Sequence, residues 1–592
     1  MAPASSLAPR WQLRAPAADA VHALEARGIP RLLAGLLVAR GHVDPERAAA
    51  HLAASPMALH DPFLLPGMQA ASERIARALK DKETILVHGD YDVDGVTGTA
   101  LLMRLFRLLG ARAAWHIPNR LEHGYSFGAH SLARAAAEDA KVVISVDNGT
   151  SAHAVIAALK ERGVDTIVTD HHEAPPGPLP DATAIVNPKL VGSRYPMREL
   201  CGGAVAFKLA WGLCQHLWGA RRVSDELKLF LEEATSYVAI ATVCDVVPLL
   251  DENRVFARFG LKALERTKNP GLAALLEIAG LAGAPLTAQD VGFQIGPRLN
   301  ASGRLGSAER ALELLLANDA ASAKAHALAL DALNQRRKEI EGAVLLEARA
   351  AARECADPEE HPVLVLAGQG WHQGVVGIVA ARLCEEFGRP AIVIGLDGAS
   401  GRGSARTVGR FSVLAAIAGA AEHLERFGGH EQAAGLEIRS ENVARARAAI
   451  TERARAMLDG AEHPESVLAI DCELPFEHMT RAQMKELERL APFGAHNDAP
   501  VFLARAVYLA EPPRTVGAER GHLLLHLRKG HHVLKALAFR AGARLDELAL
   551  GQPIDAVFTP KWNTFRGATS LELELLDFRP AETGASAVAT GP

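Results

Sequence analysis

Acidic and histidine side chains gather at four points in the first half of the sequence, and each point follows a short apolar run. Carboxylates and imidazoles without cysteine are donors that suit Mn²⁺ or Mg²⁺ better than structural Zn²⁺. A site that holds such ions could hydrolyse a phosphate ester. The residues concerned are His88, Asp90, Asp92 and Asp94 in HGDYDVDG, Asp147 in SVDNGT, Asp170, His171 and His172 in IVTDHHE, and Asp245 in ATVCDVVPL.

Taken singly, each point has a less specific explanation. The first acids suit a phosphate-binding turn or a helix cap, Asp147 suits an Asx turn, the adjacent histidines suit a surface pair, and Asp245 suits a cap. Together they would require four independent coincidences at strand ends in one domain. Because a strand alternates its side chains, Asp90, Asp92 and Asp94 are expected to point one way along an extended chain. So many buried carboxylates favour two cations rather than one.

The elements around these residues predict βαβ units. ETILVHGDYD, KVVISVDNGT and VDTIVTDHHE each indicate a buried strand that ends in a loop, whereas TGTALLMRLFRLLG and SAHAVIAALKERG indicate helices. Such alternation predicts a parallel sheet, and ligands bind beyond the carboxyl ends of its strands. Adjacent histidines at a strand end point in opposite directions, so at most one is expected to share a given metal with the acids.

The rest of the chain divides by pattern, which gives an α/β multidomain protein. A proline-free stretch predicts a long connecting helix, and later short alternating runs predict a small β-barrel of the OB type. The predicted segments are an N-terminal helical packing or docking segment (1–75), the parallel-sheet catalytic domain (76–317), the connecting helix (318–350), a smaller α/β domain (351–460), the barrel (461–580) and a disordered tail (581–592).

Composition sets limits on function. The 592 residues carry a net charge of −5, with 49% hydrophobic and 22% charged residues, which excludes a mainly disordered chain and a wholly basic DNA-coating protein. A nucleic-acid partner would need a local basic surface. Six scattered cysteines without a C-x-x-C pair argue against disulfides and a cysteine zinc site. Without a secretory-type start or a run of about 18–20 apolar residues, a soluble cytoplasmic protein is expected.

Four motifs resemble those of the DHH phosphoesterase superfamily: HGDYDVDG, VDNG, DHH and CDVVPL. IPNRLEHGY, GPRLNASGRLG, GWHQGVVGIVAARL, GRGSAR and FGGHEQAAGL are similar to the branch that degrades single-stranded DNA, and the likeness spans roughly residues 85–500. His496 and Asp498 stand where that branch usually has glycine and proline, and Ser126 where glycine is common. The resemblance implies a DHH domain, a DHHA1-like substrate-binding domain and an OB-like nucleic-acid-binding domain.

The resemblance also implies a centre with two Mn²⁺ or Mg²⁺ ions. In it, His88 and Asp92 would bind one ion, Asp94, His171 and Asp245 would bind the other, Asp147 would bridge both, His172 would face the scissile phosphate, and Asp90 would support the ligands.

Arginines in the further motifs are candidates for DNA contact, because a guanidinium binds phosphate bidentately. For any one of them, a solvated surface charge is the alternative. Trp562, beside Lys561 and Arg566, suits either base stacking or barrel packing. The candidate phosphate contacts are Arg120, Arg298, Arg304 and Arg406, and the resemblance places Ser404, Arg406, Gly429 and His430 near the strand end.

The function implied is a single-stranded-DNA-specific 5′→3′ exonuclease that releases 5′-mononucleotides in DNA repair and recombination. The implied protein is a monomer without membrane attachment, with a single-strand-binding protein and a RecQ-type helicase as partners. One alternative is a phosphodiesterase of the same superfamily acting on short oligonucleotides or cyclic dinucleotides, although such enzymes are typically shorter. A non-catalytic replication scaffold with this fold should have lost metal ligands, and metal storage would leave the arginine motifs unexplained.

Overall fold

The computed structural model describes residues 9–119, 127–218, 224–355, 357–407, 409–458, 467–517, 520–565 and 568–581. The chain forms two compact units that do not follow chain order. The first contains Leu59–Val247 and Val255–Glu465, and the second contains Pro9–Ala58, Pro248–Arg254 and Ser466–Pro592. These units are coarser than the predicted segments, whose boundaries stay predictions. Arg120, Ser126, Arg566 and 582–592 lie outside the described residues.

The N-terminal part of the second unit is mainly helical. Strand β1 (Arg10–Leu13) precedes the helices Ala18–Ala26, Arg31–Ala39 and Pro45–Ala53. The last of these begins as its DPER start predicts, because the side chain of Asp44 accepts a hydrogen bond from the Arg47 amide at 2.8 Å and proline occupies the first turn.

A five-stranded parallel sheet forms the centre of the first unit. Its strands are β2 (Thr84–Gly89), β3 (Ala113–His116), β4 (Ala140–Val146), β5 (Asp165–Thr169) and β6 (Ala184–Val186), in the order β3-β2-β4-β5-β6. The parallel sheet predicted from the βαβ pattern is therefore confirmed. Helices that accompany it are Met68–Asp81, Val93–Leu108, Ala129–Ala137, His153–Glu161, Gly202–Trp218 and Asp225–Cys244.

A long helix leads from this sheet to a second one. Shorter helices come first (Asp251–Glu265, Pro270–Ile278, Gly296–Leu305 and Glu309–Leu316), and then the helix Ala320–Glu354 runs for 35 residues. Asp319 caps its start by accepting a hydrogen bond from the Ser322 amide at 2.9 Å. Near its far end, Glu341 is buried and pairs with Arg382 at 2.6 Å, which fixes the helix to the second sheet's helical layer.

The second sheet has five strands of mixed direction. They are β7 (Leu364–Gln369), β8 (Ala391–Asp397), β9 (Ser400–Arg406), β10 (Arg426–Gly429) and β11 (Ala433–Arg439), and the accompanying helices are Val376–Phe387, Val413–Ala418 and Val443–Leu458. The strand order is β10-β11-β9-β8-β7. β7 and β8 are parallel, and the other pairs are antiparallel.

The C-terminal part of the second unit is the predicted small barrel. The strands are β12 (Val467–Ile470), β13 (Cys472–Glu473), β14 (Phe502–Leu509), β15 (Arg514–Val516), β16 (His522–Lys529), β17 (His532–Ala538), β18 (Ile554–Phe565) and β19 (Ala568–Pro580). Pairing of β14 with β16 closes the strand order β14-β18-β19-β17-β16 into a ring of five, as in OB folds. β1 pairs with β12.

The two parts of the second unit share one apolar core. Leu24, Leu33 and Leu37 from the N-terminal helices are buried with Phe502 and Phe558 from the barrel. Burying apolar area against the barrel stabilises helices that are too short to persist alone in water. The N-terminal segment is therefore part of the structure that supports the barrel.

Arg254 is the largest fully buried side chain of the second unit and lies 1% exposed. Its guanidinium donates hydrogen bonds to backbone carbonyls of His51 at 2.8 Å, Leu490 at 2.7 Å, Arg489 at 2.9 Å and Ala491 at 3.0 Å. A buried guanidinium is tolerated only when its donors are satisfied in this way. Arg254 thus connects three separate stretches of the chain.

His496 occupies a backbone conformation that favours glycine. Its φ is 57°, in the left-handed region where a β-carbon is unfavourable. The neighbouring Asn497 donates hydrogen bonds to the carbonyls of Leu490 and Pro492, both at 2.8 Å. The turn therefore keeps a defined conformation without glycine. Within the described ranges, no helix combines the length and apolar character needed to cross a membrane.

Candidate metal centre and DNA contacts

The carboxyl edge of the parallel sheet brings the predicted acids together. Asp90 follows β2, Asp147 follows β4 and Asp170 follows β5. Backbone hydrogen bonds continue the strand pairing past each strand end, from Asp90 N to Val146 O at 3.2 Å and from Asp147 N to Thr169 O at 2.9 Å. Their side chains therefore start from adjacent positions on one edge, as the parallel topology predicts.

The expected extended chain through Asp90, Asp92 and Asp94 is wrong. The helix begins at Val93, so Asp94 lies in its first turn and Asp92 is its N-cap. Asp92 Oδ1 accepts hydrogen bonds from the amides of Asp94 at 2.9 Å and Gly95 at 3.2 Å. The helix begins here because hydrogen bonds to the first amides, which lack a partner within the helix, are more favourable than an extended chain.

The expected strand end at Asp245 is also wrong. Asp245 follows the helix Asp225–Cys244 and forms its C-cap. A short apolar run such as Val238–Val243 does not distinguish a buried strand from a buried helix. The side chain nevertheless reaches the site, because its Oδ2 lies 3.7 Å from His171 Nε2.

The acidic and histidine side chains at this edge form two neighbouring groups. Donor atoms of Asp90, Asp92 and Asp147 lie within 4.8 Å of one another, and so do those of Asp94, His171 and Asp245. His171 Nε2 joins the groups, at 3.1 Å from Asp147 Oδ1 and 3.7 Å from Asp94 Oδ2. Asp147 therefore belongs to one group and contacts a member of the other, and its role as the bridging ligand stays a prediction.

His88 and Asp90 differ from their expected positions. The structure does not bring His88 together with Asp92, since it groups His88 with His116 and His130, here called the histidine cluster. On β2, His88 shares a face with Leu86, which packs in the core beside Phe127, and the His88 ring lies 4.8 Å from the Phe127 ring. Asp90, expected only as support, comes after the strand and joins the acids.

Two glycines that the sequence analysis did not select hold Asp94 in place. The amides of Gly202 and Gly203 donate to its carboxylate oxygens at 2.6 and 2.7 Å, at the start of the helix Gly202–Trp218. A helix N-terminus favours an anion through its free amides and its dipole. In the sequence, the Gly-Gly pair before an apolar helical run could have indicated an anion-binding helix start.

We expect Gly202→Ala to weaken binding of Mn²⁺ by about 10–100-fold, the usual cost of disturbing groups that orient metal ligands. A β-carbon at Gly202 would lie 2.6 Å from Asp147 Cβ and 2.8 Å from its Oδ1, so the carboxylate must move. Isothermal titration with Mn²⁺ measures the effect. Gly342→Ala is the matched control, because that position has open space around it. Equal Mn²⁺ affinity in the two variants would contradict the prediction.

Asp170 organises His172. Its carboxylate accepts hydrogen bonds from the Thr150 amide at 2.9 Å, the His171 amide at 2.8 Å and His172 Nδ1 at 2.8 Å. Burial acts to lower the pKa of His172, but the hydrogen bond and charge of Asp170 outweigh it and raise that pKa to about 9. Asp170 thus favours the protonated form of His172, whose side chain is 35% exposed. Its carbonyl accepts a further hydrogen bond from Asn187 at 2.9 Å.

The electrostatics of the groups fit divalent cations. Burial and then the charge of Asp92 raise the pKa of Asp94 to about 7, and burial and then Asp94 raise that of Asp245 to about 8. For Asp147, burial and four surrounding aspartates raise the pKa well above its usual value. Its buried Oδ1 accepts no hydrogen bond from a described residue. Cations would neutralise these carboxylates, and a mainly oxygen donor set suits Mn²⁺ or Mg²⁺.

Three of the predicted DNA contacts meet at the start of the helix Val376–Phe387. A β-carbon at Gly377, in its first turn, would lie 3.0 Å from Ser404 Oγ and 3.4 Å from Arg406 Nη2. Arg304 Nη1 donates to the carbonyl of Gly374, just before that helix, at 3.3 Å. This arrangement places a guanidinium and a hydroxyl beside a helix N-terminus, which is a favourable environment for phosphate.

Gly429 and His430 lie at the same end of the second sheet. β10 ends at Gly429 and β11 begins at Ala433, which pairs with Arg406, so His430 lies in the turn between these strands. Gly429 has φ 132°, and a β-carbon there would lie 2.6 Å from the Ala433 carbonyl, so glycine is required. His430 is exposed on this turn.

The other predicted contacts have different surroundings. Arg298 pairs with Asp331 of the long helix at 2.9 Å, so its phosphate contact stays a prediction. Trp562 Nε1 donates to Glu488 Oε1 at 2.8 Å while the residue remains 36% exposed. Part of its surface is thus accessible, and both stacking and packing stay open. Arg120 lies outside the described residues.

Comparison with known proteins places these observations in one family. Three domain families match in succession: the DHH family N-terminal domain over residues 84–242, the DHHA1 domain over 360–456 and the RecJ OB domain over 470–577. The single-stranded-DNA-specific exonuclease RecJ of Bacillus subtilis (strain 168) is 35% identical, and the match covers 98% of this chain and 74% of that protein. The chain belongs to the RecJ family.

Solved RecJ structures resemble this chain over nearly its full length. RecJ from Thermus thermophilus in complex with Mn²⁺ superposes with a TM-score of 0.80 at 31% identity, and covers 98% of this chain and 81% of that one. The same protein with Mg²⁺ gives a TM-score of 0.76 at 29% identity, with 97% and 79% coverage. The predicted DHH, DHHA1 and OB domains and the choice of Mn²⁺ or Mg²⁺ are therefore confirmed for this RecJ-family chain.

Proposed function

We propose that this chain is a metal-dependent, single-stranded-DNA-specific exonuclease that works from the 5′ end and releases 5′-mononucleotides. The observation that carries the proposal is the position of Asp147 between two groups of metal donors at the sheet edge. Its curated RecJ relatives are named for single-strand-specific exonuclease activity. The closed C-terminal barrel, which matches the RecJ OB domain, supports a single-stranded nucleic acid as substrate.

The two donor groups would each hold one Mn²⁺ or Mg²⁺ ion. Such a pair supplies a hydroxide at neutral pH and neutralises charge on the phosphate. Asp90 and Asp92 would hold one ion, Asp94, His171 and Asp245 the other, and Asp147 both. The proposal thus replaces His88 by Asp90 as a ligand.

His172 would act on the scissile phosphate itself. Asp170 favours the protonated imidazole and fixes its orientation through Nδ1, and Nε2 would donate to a phosphoryl oxygen. A cation held in place before the reaction stabilises the negative charge that develops during in-line attack.

The start of the helix Val376–Phe387, with Ser404 and Arg406, would bind the 5′-phosphate. Arg406 Nη1 donates to Ser404 Oγ at 3.0 Å, which orients the hydroxyl and the guanidinium toward one place. The exposed His430 at the same sheet end would add a further donor. Anchoring the terminal phosphate would set the direction of digestion.

Digestion of labelled DNA tests the whole proposal. Single- and double-stranded oligonucleotides labelled at the 5′ or 3′ end are incubated with Mn²⁺, Mg²⁺ or a chelator. We expect metal-dependent release of a mononucleotide from the 5′ label of the single strand alone. Release from the 3′ end, or equal degradation of duplex, would overturn the polarity or the strand preference. Faster cleavage of a dinucleotide than of a long strand would favour the short-oligonucleotide phosphodiesterase instead.

Arg406→Ala is expected to reduce the preference for a 5′-phosphate over a 5′-hydroxyl end by about tenfold or more, the worth of a charge-assisted hydrogen bond. The measurement is the ratio of initial rates on the two substrates. Arg402→Ala is a matched control on the same strand, where Arg402 pairs with Glu437 at 3.3 Å. An unchanged ratio for Arg406→Ala would remove this residue from the proposed role.

We further propose a monomer in the cytoplasm that acts in DNA repair and recombination beside a single-strand-binding protein and a RecQ-type helicase. Family membership supports this setting. Light scattering and binding assays with purified partners test it, and failure to bind either partner would contradict it.

A further inference from the structure

The histidine cluster lies outside the two groups of metal donors, here called the acidic centre, and has no role in the proposed reaction. One ligand nitrogen from each of His88, His116 and His130 lies within 4.8 Å of the others. His88 and His116 are direct partners on the parallel strands β2 and β3, so their side chains project from the same face. His130 comes from the first turn of the helix Ala129–Ala137. Three separate elements therefore converge on one point.

His88 is buried without a hydrogen-bond partner for its ring in the described part of the chain, as expected of a side chain that binds a ligand. His88 is fully buried, and neither of its ring nitrogens has a hydrogen-bond partner among the described residues. A buried imidazole left without partners pays the full desolvation cost of its polar atoms. The His88 ring lies close to the other two rings, with centroid distances of 5.2 Å to His116 and 5.5 Å to His130.

We infer that the histidine cluster binds one zinc ion, separate from the two ions of the acidic centre. Three imidazoles without a carboxylate in the group suit Zn²⁺, whereas Mn²⁺ and Mg²⁺ prefer oxygen donors. Tetrahedral zinc needs nitrogen donors about 3.3 Å apart, as follows from Zn–N bonds of about 2.0–2.1 Å. His116 Nε2 and His130 Nδ1 share a hydrogen bond at 2.9 Å, so zinc would displace the shared proton and would need only a small opening of this pair.

The position of this ion indicates what it would do. His88 is the last but one residue of β2 and lies two residues before Asp90, and His116 ends β3. An ion held by the cluster would fix these two strand ends to the helix that follows residues 117–128. It would thereby position the segment that follows β2 and contains Asp90, without taking part in the reaction.

Zinc retention tests the inference in a chain whose acidic centre is disabled. The full-length double variant Asp147→Asn/His171→Ala is loaded with Zn²⁺, passed through a buffer containing excess Mg²⁺ and analysed for zinc by mass spectrometry. About one zinc per chain should remain, as expected for a single site of three histidines and one water. Retention of none would overturn the inference.

Single substitutions then locate the ion. In the same background, His116→Gln and His130→Gln should each weaken zinc binding by at least about 100-fold, since even groups behind the ligands are worth 10–100-fold. His153→Gln is the control, because His153 is exposed on the helix His153–Glu161. Equal zinc affinity in all three variants would refute the assignment.

X-ray absorption at the zinc edge tests the inference even if the histidine variants fail to fold. The measurement is made on a chain in which the histidine cluster is intact. The zinc-loaded background chain should show a first shell dominated by imidazole nitrogen. A shell dominated by carboxylate oxygen would place the ion among the aspartates and overturn the inference.

Discussion

Asp147→Asn should lower the rate of single-strand digestion by at least about a thousandfold. The variant would lose the two metal ions, and metal binding lowers the pKa of water from 15.7 to about 7. Asparagine keeps the size of the side chain and tolerates the left-handed backbone of this position, where φ is 66°. Alanine would add backbone strain to the loss of the ligand. The rate is measured with 5′-labelled single strands at saturating Mn²⁺.

Binding of single-stranded DNA should survive in this variant, since the proposed anchor at Ser404 and Arg406 belongs to another sheet. Asp139→Asn is the matched control, because Asp139 also has positive φ, at 47°, but is exposed beside Lys141. It should digest DNA like the unsubstituted chain. Full activity of Asp147→Asn would defeat the bridging assignment on which the proposed mechanism depends.

Arg254→Met should destabilise the second unit by about 3 kcal/mol, the lower range for removing one partner of a buried charged network. Methionine fills much of the space but leaves the carbonyls of Leu490, Arg489 and Ala491 without their donor. Thermal and urea denaturation, followed by fluorescence of Trp11 and Trp562 in this unit, measure the loss.

A second readout identifies the cause of that loss. Burial and then the charge of Arg254 lower the pKa of His51 to about 3, so removing the charge should raise this pKa in a nuclear magnetic resonance titration. Arg47→Met is the control, because Arg47 is exposed in the same unit. If the two variants unfold at the same urea concentration, the buried arginine does not stabilise the unit as proposed.

Much of the site followed from local pattern. Asp147, Asp170 and His171 lie at strand ends because apolar runs with turn residues after them form parallel strands, and parallel strands share a carboxyl edge. Helix capping by Asp44 was equally predictable from the sequence, because it depends only on residues that are neighbours in the chain.

Other features depend on contacts between distant residues, which pattern does not contain. Whether Asp90 or His88 joins the acids depends on where β2 ends and on which face of the strand His88 lies. Asp245 reaches the site from a helix, although its apolar run is compatible with a strand. The support of Asp94 by Gly202 and Gly203 joins residues more than a hundred positions apart.

The shared core of the second unit has a consequence for how this chain is made. Trp11 donates a hydrogen bond to Asp577 across 566 positions, so the helices Ala18–Ala26, Arg31–Ala39 and Pro45–Ala53 complete their packing only after the barrel strands have been synthesised. During that interval their apolar faces lack their final cover, a situation that favours chaperone binding and aggregation. A variant that lacks residues 9–58 would therefore lose one wall of the barrel core.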